Sequence, residues 1–181
     1  MSIIDEIALH SYKLIVAGPV GAGKTEAIRS LSDKGIVTTE EVASDEIKYQ
    51  KKTTTVAMDY GVMKLDSGEQ VRLYGTPGQR RFDFMWEILS ENALGLVLLL
   101  NATEADPVAD LHYYLDAFMP LIASSALVVG ITHAEDMPWD LHDRLTAALM
   151  ERGMTANVSV VDAREKEQMR LLVRSLIYMI A

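Results

Sequence analysis

The chain has 181 residues, of which 49% are hydrophobic and 24% charged, a balance that excludes a disordered or collagen-like protein and allows one sizeable core. The formal net charge of -9 argues against nonspecific binding to nucleic acid or to an anionic membrane surface. Cysteine is absent, which excludes disulfides, thiolate zinc sites and prenyl or palmitoyl anchors. We therefore expect one domain over residues 1–181, located in the cytoplasm, without a direct membrane anchor and without nucleic acid as a partner.

Short apolar stretches of β type alternate with stretches of helical spacing along the chain. The β-type stretches are residues 12–17, 56–65, 70–74, 94–101, 126–131 and 158–161. Two of them, 94–101 and 126–131, lack polar alternation, which is typical of strands buried on both faces of a parallel sheet. The order predicts an α/β fold: a six-stranded, mostly parallel sheet with about five helices on both faces.

The turn sequence Asp-Ser-Gly-Glu at 66–69 joins two neighbouring β-type stretches. It predicts an antiparallel hairpin at one edge of the sheet. Ligands of open α/β sheets bind beyond the carboxyl ends of the strands, so the loops that follow the predicted strands are the candidates for a site.

Residues 18–25 read G-P-V-G-A-G-K-T and follow the first predicted strand, a full match to the phosphate-loop pattern. Lys24 would neutralise the β and γ phosphates, and the Thr25 hydroxyl would bind Mg²⁺. The main chain of the loop would surround the phosphates at Gly18, Gly21, Ala22 and Gly23. The alternative is a glycine-rich turn with a surface lysine, which the strand before and the helix after disfavour. The loop alone selects neither the base nor the reaction.

Two further segments flank the predicted hairpin: K-K-T-T-T-V-A-M-D at 51–59 and G-T-P-G-Q-R-R-F at 75–82. With these segments the whole chain resembles a small Ras-like GTPase, which has a P-loop NTPase fold. It resembles most closely the bacterial MglA-like GTPases of multicomponent systems, which are usually paired with roadblock/LC7 proteins. The resemblance implies a switch that cycles between GTP and GDP with Mg²⁺ and hydrolyses GTP slowly.

The resemblance also implies roles for residues of the two segments. Thr55 would bind Mg²⁺ and contact the γ-phosphate, with Thr54 as the alternative one position earlier. Gly78 would donate its N–H to the γ-phosphate. Gln79 would orient the attacking water, a task of positioning that phosphoryl transfer requires. The alternative for Gln79 is a solvated loop amide.

One position departs from the family pattern. Gly75 stands where Ras-like GTPases have the Asp that holds a Mg²⁺-bound water. Asp59 is the nearest acidic residue, although its place in a predicted strand favours a structural or solvent-facing role.

The loop after the stretch 126–131 reads T-H-A-E where the family has N-K-x-D. Glu135 keeps a carboxylate that can accept two hydrogen bonds from guanine, with Asp136 as the fallback. Adenine would leave an acceptor unpaired, at a cost of roughly 1–3 kcal/mol, so guanine is favoured. Without the resemblance, this segment is an ordinary loop between a strand and a helix.

Three further residues take base-binding positions by resemblance. His133 would cover the base by stacking, and Thr132 would lose the amide that bridges to the phosphate loop. Ala163 would donate its N–H to guanine O6. Asp162 before it suits an N-cap of the last helix.

The resemblance implies that a roadblock/LC7-type protein regulates the switch and that an effector or sensor complex reads it, with any membrane association through these partners. Arg80, Arg81, Lys51 and Lys52 are candidates for an activating cation in cis. An apolar cluster beyond Gln79 suggests either a partner surface or packing of a helix: Phe82, Phe84, Met85 and Trp86. Two other functions are a hydrolysis-deficient nucleotide-binding scaffold and, less favoured, a P-loop ATPase or kinase.

Overall fold

A computed structural model of the protein describes residues 11–42 and 55–180. These residues contain seven strands and six α-helices. The strands are β1 Ser11–Ala17, β2 Val37–Val42, β3 Thr55–Lys64, β4 Gln70–Gly75, β5 Gly95–Asn101, β6 Ala126–Thr132 and β7 Asn157–Val160. The helices are α1 Lys24–Leu31, α2 Phe84–Ser90, α3 Pro107–Ala117, α4 Met119–Ser124, α5 Leu141–Glu151 and α6 Lys166–Ile180.

The described strands form one sheet in the order β2-β3-β4-β1-β5-β6-β7. All neighbours from β4 to β7 pair in parallel, whereas β3 runs antiparallel to both β2 and β4. The α/β class, the mostly parallel sheet and the β3–β4 hairpin are confirmed.

The predicted count of six strands is wrong, because β2 lies beyond the hairpin and forms the edge of the sheet. Its sequence, V-T-T-E-E-V, shows neither a continuous apolar run nor a period of two, since an edge strand has a neighbour on one side only. The helix count is also one too low, because the short helix α4 follows α3 with a single residue between them.

The two central strands β5 and β6 are buried along their whole length. Alternate residues enter two separate cores: Leu96, Leu98 and Leu100 pack on one face of the sheet, and Val97 and Leu99 pack on the other. The first core is completed by α2 to α5 and the second by α1 and α6. Helices therefore cover both faces, as predicted, and the loops at the carboxyl ends of β1, β4, β5, β6 and β7 meet at one edge.

Within the described ranges, none of the helices is both long and apolar enough to cross a membrane.

Candidate functional site

The phosphate loop lies between β1 and α1 and is closed around its own lysine. Gly23 has a φ of 95°, a left-handed conformation suited to glycine, and Lys24 begins α1 directly after it. The Lys24 ammonium donates to the carbonyl oxygens of Gly18 and Pro19, both at 2.8 Å. Burial lowers the pKa of Lys24 to about 8, while the nearby Asp59 carboxylate opposes this shift. The lysine is thus a partly desolvated cation held by two main-chain carbonyls.

Gly78 lies directly against this loop. The Thr76 N–H donates to the Val16 carbonyl at 3.0 Å, which fixes the segment as it leaves β4. A Cβ added at Gly78 would lie 2.7 Å from Lys24 Nζ and 2.9 Å from Val20 N. The main chain at Gly78 therefore lies so close to the loop that an added side chain would clash with Val20.

Asp59 brings a carboxylate to the start of α1. Its Oδ2 accepts a hydrogen bond from the Thr25 hydroxyl at 2.5 Å, and its Oδ1 accepts one from the Thr38 hydroxyl at 3.0 Å. In the sheet, Asp59 on β3 stands opposite Gly75 on β4. A Cβ at Gly75 would lie 2.8 Å from Ile28 Cδ1 and 3.2 Å from Asp59 Cβ. The neighbouring strand thus supplies a carboxylate where position 75 has no room for one.

These hydrogen bonds are compatible with the structural role that the sequence favours for Asp59, and they also place its carboxylate beside Thr25. The sequence also gives no sign of Thr38, because β2 itself is missed. Strand pairing between β2, β3 and β4 sets Thr38 opposite Asp59 and Asp59 opposite Gly75, and local sequence does not reveal this register.

A cavity of about 390 Å³ adjoins the phosphate loop on the side of β6 and β7. All four residues assigned to the base by resemblance line it: Thr132, His133, Glu135 and Ala163. A Cβ at Gly23 would lie 3.0 Å from Ala163 Cβ and 3.9 Å from Thr132 Cγ2. The cavity is therefore lined both by the N-terminus of α1 and by the carboxylate of Glu135.

Three side chains tie the phosphate loop to the ends of β5 and β6. The buried Thr132 hydroxyl donates to the Ala22 carbonyl at 2.8 Å, so a hydroxyl bridges to the phosphate loop although the amide of the family is absent. His133 Nε2 lies 3.0 Å from the Gly21 carbonyl, where the tautomer with a proton on Nε2 donates. Asn101 Nδ2 donates to the same carbonyl at 3.3 Å. The sequence analysis did not assign Asn101 to the site, although a polar residue at the end of the otherwise apolar strand β5 could have indicated it.

The far rim of the cavity carries charged groups. Arg164 donates to Asp162 through Nε at 2.9 Å and through Nη2 at 2.7 Å, and these hydrogen bonds lower the pKa of Asp162 to about 2. Because α6 begins at Lys166, Asp162 is not its N-cap and instead accepts from the Arg164 main-chain N–H. Glu135 is an exposed carboxylate that also lines the cavity.

The remaining predicted residues are placed only in part. Gln79 is exposed and immediately follows Gly78, with an extended main chain at φ -78° and ψ 127°. Thr55 begins β3, but its side chain lies outside what the structure describes, as do Thr54, Lys51 and Lys52.

A metal ion at this site would need oxygen ligands from several sources. Among residues 11–42 and 55–180, no group of three His, Asp or Glu side chains is arranged to hold a metal. The Thr25 hydroxyl and the Asp59 carboxylate are hard oxygen donors, however, and Mg²⁺ typically takes one or two protein ligands together with phosphate oxygens and waters. The donors present therefore fit Mg²⁺ bound with a nucleotide.

Comparison with known proteins agrees with this geometry. The model of a family described as conserved hypothetical ATP-binding proteins matches residues 34–134. The chain belongs to this ATP-binding family. The matched residues begin after the phosphate loop and end in the loop after β6, so that the loop motif at 18–25 is independent evidence for nucleotide binding.

Two individual proteins are similar to this family member. An uncharacterised protein from Methanocaldococcus jannaschii, MJ1339, is 28% identical over 119 residues, which are 66% of this chain and 66% of the relative. The crystal structure of the bacterial selenocysteine-specific elongation factor EF-Sec matches with a TM-score of 0.63 and 16% identity. That match covers 94% of this chain but 29% of the elongation factor, and at this identity it shows the fold alone. Family and fold together establish a nucleotide-binding protein with a P-loop NTPase-like fold.

Proposed function

We propose that the protein is a GTP-binding switch of the Ras-like, MglA-like kind, which hydrolyses GTP slowly with Mg²⁺ and cycles between GTP and GDP states. One observation carries the proposal: the cavity of about 390 Å³ runs from the N-terminus of α1 to the loops after β6 and β7, with Glu135 at its rim. A phosphate tail in the loop would therefore place a base between the two loops.

The phosphate loop supplies the charge that a triphosphate needs. Lys24 would leave the carbonyls of Gly18 and Pro19 and bind the β and γ phosphates, and the loop amides and the positive end of α1 would support it. Asn101, Thr132 and His133 would hold the loop in shape, because each contacts a carbonyl of its central residues.

The side of the site at Thr25 would bind the metal and sense the γ-phosphate. Thr25 and Thr55, with Asp59 beside Thr25, would hold Mg²⁺, which neutralises charge on the β and γ oxygens when bound. Asp59 would do what Asp does at the position of Gly75 in related GTPases. Gly78 would donate its N–H to the γ-phosphate, and Gln79 would orient the attacking water.

Guanine is favoured over adenine by the chemistry of the rim. Glu135 accepts hydrogen bonds only, which suits the two neighbouring donors of guanine, and the Ala163 N–H would meet guanine O6. Adenine would face Glu135 with a lone pair, at a cost of roughly 1–3 kcal/mol or about 5- to 160-fold in affinity. Asp162 competes less well for a base because Arg164 already holds it.

ATP is the second candidate, because the matching family is described as ATP-binding. Titration of the protein with GTP and with ATP in the presence of Mg²⁺ separates the two. The proposal expects tighter binding of GTP, and Glu135→Gln should reduce the preference while Asp136→Asn leaves it unchanged. Equal affinity for both bases, or tighter binding of ATP, would contradict the assignment to guanine.

Partners remain part of the proposal. Release of the γ-phosphate would free Gly78 and Thr55, so that the flanking segments differ between the two states, and a roadblock/LC7-type regulator and an effector or sensor complex in the cytoplasm would read the difference. Phosphate release with and without a roadblock protein tests this. Binding of GTP without release in either case would favour the hydrolysis-deficient scaffold instead.

A further inference from the structure

Arg80, the residue after Gln79, is held against α3 by two contacts. Its guanidinium carbon lies 3.8 Å from the centroid of the Tyr113 ring. Its Nη2 lies 3.4 Å from Oδ1 of Asp110, whose side chain is 19% exposed. A planar guanidinium that stacks on a ring and meets a carboxylate is a geometry that Arg satisfies and Lys does not. Arg80 is therefore directed towards α3.

A second contact fixes the same segment on the other side of Gln79. The buried Trp86 indole N–H donates to the carbonyl of Pro77 at 3.2 Å. The indole in turn stacks on two rings of the α3 region, Tyr114 and Phe118, with 5.1 Å between centroids in both pairs. Pro77 is therefore tied to α3 through Trp86, just as Arg80 is tied directly.

A short turn from Gln79 to Asp83 holds the main chain on both sides of Arg80. Phe82 is 8% exposed, and its N–H donates to the Gln79 carbonyl at 3.0 Å, while the Asp83 N–H donates to the Arg80 carbonyl at 3.1 Å. Gly78 lies against the phosphate loop. Of the two residues that flank Gln79, Gly78 lies against the phosphate loop and Arg80 contacts α3.

We propose that Arg80 is a positioning residue: held by Asp110 and Tyr113, it fixes the main chain of Gln79 at the site of the outer phosphate. This inference rests on the proposed function, since it gives Gln79 the task of orienting water. It makes the pair Arg80–Asp110 a point at which the rate of hydrolysis can be altered without touching the nucleotide.

The alternative role for Arg80 is a cation that itself reaches the phosphates. The two roles predict opposite effects when Arg80 is released from α3. A released cation could reach the nucleotide more often, so hydrolysis would be maintained or accelerated. Release of a positioning residue would misplace Gln79 and slow hydrolysis, as loss of Arg80 itself would.

The test is single-turnover hydrolysis of GTP with Mg²⁺, together with the dissociation constant for GTP, in Arg80→Ala, Asp110→Asn and Tyr113→Leu. We expect the rate constant to fall roughly 10- to 100-fold in each variant, the scale of small misplacements of catalytic groups, with affinity within about twofold of wild type. Tyr113→Phe keeps the ring face and should retain the rate. The double variant Arg80→Ala/Asp110→Asn should be no slower than the slower single variant, because the two changes remove the same contact between Arg80 and Asp110.

Arg144→Ala is the matched control. Arg144 lies on α5, and its Nε is 3.3 Å from Oδ2 of Asp140. Its side chain is 48% exposed, similar to the 59% of Arg80. Arg144→Ala should keep the wild-type rate. Wild-type or faster hydrolysis in Asp110→Asn or Tyr113→Leu would overturn the positioning role.

Hydrogen exchange of the amides of residues 78–83 in nucleotide-free protein gives a second readout that does not require catalysis. Exchange should be faster in Asp110→Asn and Tyr113→Leu than in wild type or Arg144→Ala. Unchanged exchange together with unchanged hydrolysis would overturn the positioning role alone. A wild-type protein that binds GTP but releases no phosphate would overturn the proposed hydrolysis and the role of Arg80 in it.

Discussion

Replacement of Gly78 by Ala should separate recognition of the triphosphate from recognition of the diphosphate. The added methyl group would lie 2.7 Å from Lys24 Nζ, 2.9 Å from Val20 N and 3.1 Å from Val20 Cα. The lysine ammonium is the end of a flexible side chain and can move, whereas Val20 is main chain and moves only with the phosphate loop. Overpacking of this kind costs roughly 1–3 kcal/mol.

The overpacking cost applies only when Gly78 lies against the phosphate loop, and the γ-phosphate would stabilise this arrangement. Affinity for a non-hydrolysable GTP analogue should therefore fall about 5- to 160-fold in Gly78→Ala, which is the same free energy expressed as a ratio. Affinity for GDP should stay within about twofold, because GDP does not engage Gly78.

The assay is competition of each nucleotide against a fluorescent GDP derivative in the presence of Mg²⁺. Gly35→Ala is the control: it places Ala at a φ of 82° in open space, so it introduces backbone strain without a clash near the nucleotide. Equal loss of affinity for the analogue and for GDP would show that Gly78 shapes the loop and does not sense the γ-phosphate. Wild-type affinity for both would refute the close approach itself.

Three further changes test other parts of the site. Burial lowers the pKa of Lys24 to about 8, so binding of a phosphate above this pH should take up a proton, and affinity for GTP should fall as the pH rises above about 8. Calorimetry in buffers of different ionisation enthalpy measures the proton uptake. Lys24→Arg stays charged at every pH and should bind GTP without this fall in affinity. Asp59→Asn should raise the Mg²⁺ concentration for half-maximal GTP binding roughly 10- to 100-fold, the usual cost of losing a residue that supports a metal ligand, and an unchanged Mg²⁺ dependence would exclude its compensation for Gly75. Thr132→Val should leave the Ala22 carbonyl unpaired and lower the free energy of unfolding in urea by about 1–3 kcal/mol, more than Thr146→Val does on α5.

The phosphate loop and the central strands could be predicted because their signals are local. The spacing of glycine and lysine at 18–25 predicts a phosphate loop, and the continuous apolar runs of β5 and β6 predict strands that are buried on both faces. Both hold in the structure, with α1 beginning at Lys24 and both strands fully buried. The base-loop residues were assigned by resemblance to the family, and all four line one cavity.

The parts that could not be predicted depend on pairing between distant segments. Asp59 reaches Thr25 because β3 pairs with β4 in a register that sets it opposite Gly75, and no spacing in the sequence encodes that register. Arg80 reaches Asp110 across 30 residues, because packing of Trp86 on α3 sets the two segments side by side. The edge strand β2 was not predicted because it pairs with β3 alone, and a strand at the edge of a sheet needs no regular apolar pattern.

Isothermal titration calorimetry with GTP and Mg²⁺ shows directly whether the loop around Lys24 binds a nucleoside triphosphate. We expect saturable binding of one nucleotide per chain, and loss of that binding in Lys24→Ala while the circular dichroism spectrum stays that of the folded protein. No detectable uptake of GTP or ATP by the wild-type protein, or equal uptake by Lys24→Ala, would contradict nucleotide binding by this loop.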